Sequence, residues 1–194
     1  MVWNSLYQRR QSEDAIALPL SWYKGQAEEF DWVHSVSIET SVRLTSAAAL
    51  GFVVREPGPD YPDIEDKFKI LLASDNDPQT DRIVAIKELM HCCENDVAFR
   101  VNTPERLDEL FNNFYANPTI MPEEAYILSE PIAFWKAMAL ITTDARRLEI
   151  RADMAKDPLR VSHWANELRV PENIVQALIG PRYEDEVSQF MASN

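Results

Sequence analysis

The stretch Ile83-Val84-Ala85-Ile86-Lys87-Glu88-Leu89-Met90-His91-Cys92-Cys93 carries the most specific signal in this chain. It reads as a zinc-peptidase helix with one ligand missing. Such a helix needs His-Glu-x-x-His. The two histidines sit one turn apart on one face and grip the metal, and the glutamate between them is the general base. Here the frame is Lys87-Glu88-Leu89-Met90-His91. The base and the second ligand are in place, but the first ligand position holds a lysine. A protonated ammonium has no lone pair, so it opposes a metal cation instead of binding it. Taken alone, the helix also admits a plain reading, in which Glu88 is a solvated helix charge and His91 a packing residue.

Working outward, 194 residues suit one domain, or one domain with a small terminal subdomain. With 46% hydrophobic and 26% charged residues the composition is that of a globular chain. Four glycines against twelve prolines favour helices with firm stops over glycine-rich phosphate loops. The formal charge of −13 argues against a phosphate-backbone binder, which needs a basic surface. The two cysteines are neighbours and cannot staple a loop or form a C-x-x-C site, which suits a reducing compartment. No apolar run approaches the roughly 20 residues of a membrane helix. The start, Met1 to Arg10, lacks the pattern of a signal peptide. A cytoplasmic protein is expected. No G-x-S-x-G, G-x-x-x-x-G-K-[ST] or G-x-G-x-x-G is present.

Along the chain, Leu18 to Tyr23 reads as a short strand or irregular cover. Most of 26–50 reads as a helix, on the strength of Ala47-Ala-Ala-Leu50, although Ser35-Val-Ser-Ile38 alternates as a strand does. Gly51 fits the C-cap of that helix. Phe52 to Val54 and Phe68 to Leu72 read as strands, separated by a proline-rich loop. Ser74 to Gln79 is a polar turn, followed by a helix to Cys93. Pro104 opens a candidate helix, with Thr103 as its cap. Residues 123–128 are a short helix or loop. Pro131 to Ile141 is apolar nearly all round and is expected to be a central helix. Thr143 caps a helix from Asp144 to Met154. Ser162 caps a short helix, and Pro171 to Ile179 forms another. The last two resemble a helix-turn-helix, but in so acidic a chain a packing subdomain is expected. Glu184 to Asn194 is expected to be loose.

The order of these pieces resembles the ImmA/IrrE-like family of zinc-peptidase-like proteins of phages, mobile elements and bacterial stress regulators. Phe68 to Ala73 resembles the family's strand, and Ser74 to Gln79 its turn. Arg82-Ile-Val-Ala-Ile-Lys-Glu-Leu-Met-His91 resembles its arginine-bearing approach and its helix. Glu130-Pro-Ile-Ala-Phe-Trp-Lys-Ala-Met-Ala-Leu-Ile141, followed by Arg146, resembles the later E-x-x-A-x-x-x-A-x-x-L helix and its arginine. The resemblance covers roughly residues 50–180. It implies that Glu88 stands at the general-base position, and His91 and Glu130 at metal-ligand positions. It also implies that Lys87 replaces the first histidine ligand and Met90 a glycine.

A catalytic zinc wants three protein ligands and a water. His91 and Glu130 are two. Cys92 and Cys93 point about 100° and 200° away from His91 around the helix. Glu94 is a conceivable third ligand in a rearranged site. The simpler outcome puts the Lys87 ammonium in the metal's place, paired with Glu130 or Glu88. His34 and His163 stand alone and read as surface or packing residues. Trp3, Trp22 and Tyr23 read as core or interface anchors, and Trp135 as core. The expected fold is α+β and mostly helical, a small sheet packed on a zincin-like helical core. The expected segments are a cover at 1–50, a core at 51–155 and a helical subdomain at 156–194. The expected role is a non-catalytic or impaired zinc-peptidase-like domain that is regulatory or protein-binding, with no cofactor and neither nucleic acid nor membrane as partner. The alternatives are an active zinc metallopeptidase with atypical ligation that acts on a regulatory protein, and a structural or assembly protein of a phage or mobile element.

Overall fold

The computed structural model describes residues 2–57, 66–94 and 125–192. The candidate helix at Pro104 lies outside them. Among the described residues the fold is α+β and mostly helical, with eight α-helices and one three-stranded sheet. In chain order the elements are α1 (Val2–Gln11), α2 (Leu20–Glu28), β1 (Val33–Ser41), β2 (Gly51–Pro57), β3 (Asp66–Ala73), α3 (Pro78–Cys92), α4 (Ala125–Ile141), α5 (Asp144–Lys156), α6 (Val161–Leu168), α7 (Glu172–Ile179) and α8 (Arg182–Ala192).

The sheet runs β1-β3-β2, with β1 parallel and β2 antiparallel to β3. β3 alternates strictly: Phe68, Ile70 and Leu72 are buried, while Lys67, Lys69 and Leu71 face the other way and are half-buried. α3 packs on the buried face. Gly51 makes that approach possible, because a Cβ there would meet Val84 Cγ1 at 2.6 Å and the Leu71 carbonyl at 3.0 Å. Gly51 is thus the first residue of β2 and not a helix C-cap.

The expected helix over most of 26–50 is replaced by β1. The alternation of Val36 and Ile38 with serines decides the segment, because Val36 and Ile38 lie beside Phe68 and Ile70 of β3. The alanines at 47–49 fall in the following loop. Leu18 to Tyr23 is not a strand either. Leu20 opens α2, which buries Tyr23 and Ala27 one turn apart. α6 begins at Val161 behind a 3₁₀ turn and has no side-chain cap, so Ser162 does not serve as one. The tail from Glu184 is helical in α8 up to Ala192, held by Tyr183 and Val187, which are buried four residues apart on one face.

Other expectations hold. α3 starts with Pro78 behind an Asp77 cap whose carboxylate accepts from Gln79 N at 2.9 Å and Thr80 N at 3.1 Å. Thr143 caps α5. Trp3, Tyr23 and Trp135 belong to one buried cluster that runs from Trp3 to Val187, so all three sequence segments share a core.

α4 is the central helix, fully buried from Ala137 to Ile141. Its C-terminal carbonyls need donors, and water cannot reach them. Arg10 supplies these donors from the end of α1. Its fully buried guanidinium donates to Leu140 O at 2.9 Å and Ile141 O at 3.2 Å, and also to the carbonyls of Glu13, Ala15 and Ile16. Tyr23 OH adds a bond to Leu140 O at 3.0 Å. A cation at a helix C-terminus also suits the helix dipole. Replacing Arg10 with methionine keeps the apolar stem but strands these carbonyls. The expected loss is about 3–5 kcal/mol of unfolding free energy. Urea denaturation of Arg10→Met against the parent, read by tryptophan fluorescence, checks it.

Candidate functional site

Lys87, Glu88 and His91 lie on consecutive turns of α3, and Glu130 reaches them from α4. Lys87 Nζ donates to Glu130 Oε2 at 2.6 Å. The same nitrogen stands 2.6 Å from Glu88 Oε1, an ion pair outside hydrogen-bond alignment. His91 Nε2 stands 3.2 Å from Glu130 Oε1, again close but poorly aligned. The four residues singled out in the sequence therefore meet at one place, between the two most buried helices. Their side chains are mostly withdrawn from water: Glu88 is 3% exposed, His91 14%, Lys87 20% and Glu130 25%.

The charges follow from this setting. For Lys87, burial alone lowers the pKa, but the Glu88 and Glu130 carboxylates outweigh it and hold the ammonium above its ordinary value. For Glu88, burial dominates and pushes the carboxyl up, against the pull of Lys87 and His91. For Glu130, burial also works upward, but contact with the His91 ring and the Lys87 ammonium reverses it. The carboxyl is held far below its usual range. One cation thus lies between two carboxylates, of which Glu130 is its hydrogen-bonded partner.

The remaining sequence candidates lie elsewhere. Arg82 does not join the cluster. It is buried, its Nε donates to Leu168 O at 3.3 Å, and its guanidinium lies over the Tyr23 ring at 5.7 Å, so it ties α3 to α2 and to the end of α6. Glu94 pairs with Lys136 of α4 at 3.5 Å. Cys92 is buried and donates to Glu88 O at 3.6 Å. Burial pushes its thiol well up and that of Cys93 up to about 12, so neither is a ready thiolate. Met90 is buried in the core. Arg146 pairs with Glu149 at 2.5 Å on α5. His34 is exposed, and the exposed His163 leans on Trp164, with ring centres 5.0 Å apart.

The sequence pattern did not single out Lys136. It neighbours Glu94 and the Trp3 ring, 5.9 Å from its centre, and so fastens α1 and the end of α3 to α4. The signal was present in that Lys136 is the one charge in the apolar run from Pro131 to Ile141. Glu130 itself lies inside α4, directly before Pro131, and does not open the helix. A proline in a helix interior forfeits one backbone hydrogen bond, which α4 accommodates.

This donor set does not fit a catalytic zinc. The nitrogen nearest both carboxylates is an ammonium, and among the described residues no group of three or more His, Cys, Asp or Glu is placed to hold a metal ion. No helix among them is long and apolar enough to cross a membrane. No protein family, curated protein or solved structure matches the chain.

Glu130→Gln removes one carboxylate and leaves Lys87 with Glu88. A stability loss of about 1–3 kcal/mol is expected at neutral pH, below the usual cost of breaking a fully buried pair because Glu130 is one-quarter exposed. The folded-state pKa of Glu130 is depressed. Its contribution is therefore complete above the ordinary carboxylate range and fades as pH falls through that range toward the folded value. The gap between parent and variant in urea midpoints should narrow steadily below about pH 4.

Proposed function

We propose that the chain is a zinc-peptidase-like domain of the ImmA/IrrE type that does no hydrolysis and acts as a regulatory, protein-binding module. The observation that carries this reading is the Lys87 ammonium, 2.6 Å from both Glu88 and Glu130, with His91 3.2 Å from Glu130. In a working site of that kind, a metal cation would sit among the second histidine, the later glutamate and a first histidine. It would lower the pKa of a bound water for the base glutamate to use. Here a side-chain cation meets the same carboxylates. It neutralises them and joins α3 to α4 without activating water. What would remain is a scaffold with a charged cleft, suited to binding and regulation.

The reading also depends on order along the chain. A strand (β3), a polar turn, the α3 helix capped by Asp77 and a later helix bearing Glu130 follow one another as in the family pattern. Met90 supports the loss of catalysis, since its buried side chain occupies the position where the pattern has a glycine.

Repair is the test. Lys87→His restores a three-ligand set if α3 and α4 hold peptidase-like geometry. Zinc titrated into that variant should bind with a dissociation constant in the micromolar range or tighter, while the parent binds none at those concentrations. Without zinc the variant should unfold at lower urea than the parent, because Glu130 loses its ammonium partner. If the variant takes up zinc no better than the parent, Lys87 does not stand at a ligand position. Stoichiometric zinc in the parent after gel filtration would favour a metallopeptidase with unusual ligands.

A further inference from the structure

We draw no further inference here: the strongest candidate, the polar cavity between the loop that follows α1 and the first turn of α5, lined by Glu13, Asp14, Glu149, Thr143, Ala145 and Arg146, is an acidic cluster at a helix N-terminus, and the unpartnered Gln11 amide nitrogen beside it belongs to a side chain that is only partly buried, so nothing in the structure points to a ligand there.

Discussion

Two carboxylates held within one ion's reach of each other, away from water, must have a positive charge between them. Glu88 on α3 and Glu130 on α4 impose this demand, and Lys87 meets it. The alternatives are costly: an unpaired carboxylate at that depth must bind a proton or open the site to solvent. The ammonium therefore does for this fold what a bound metal could do elsewhere. It lets the two helices that carry these carboxylates pack against each other, with Ile86 and Leu89 of α3 and Ala137 and Met138 of α4 fully buried. His91 adds a ring against the far oxygen of Glu130 and completes the enclosure.

A second internal cation solves a different problem. Arg10 faces carbonyl oxygens instead of carboxylates, and burial lowers its pKa. A guanidinium keeps its charge in such a setting because its intrinsic pKa is so high, and its planar fork reaches several acceptors at once. A lysine at that position would have fewer donors and a charge more readily lost. Arg82 follows the same rule at the other side of Tyr23, donating to Leu168 O. A strongly acidic chain thus spends part of its limited positive charge inside, on helix ends and on one carboxylate pair. The outside is left correspondingly negative.

How much of this could be read from the residues depends on how local each signal was. α3 was legible because the polar turn before it and the Glu-x-x-His frame within it are local signals. The meeting of Lys87, Glu88 and His91 was legible because the three share that helix, whereas Glu130 was added to them by the resemblance to the E-x-x-A-x-x-x-A-x-x-L pattern. β1 was misread because its nine residues become a strand only through pairing with β3, some thirty residues away in the sequence, and alanines nearby argued for helix. The helical tail was missed because its described positions are mostly polar, and among them Tyr183 and Val187 are the ones that enter the core. Arg10 carries no pattern at all: an arginine near the chain start is ordinarily solvated, and only the carbonyls at the end of α4 give it a place.

Those carbonyls lie 130 and 131 residues further along the chain than the guanidinium that binds them. The link is therefore absent from any partly made or partly folded chain that stops short of Ile141. Until that point α1 has nowhere to place a buried charge, and α4 has no donor for its end. Closing so long a loop is entropically late, as is the parallel pairing of β1 with β3. The first helix thus completes its buried contacts only after the chain has been made as far as Ile141.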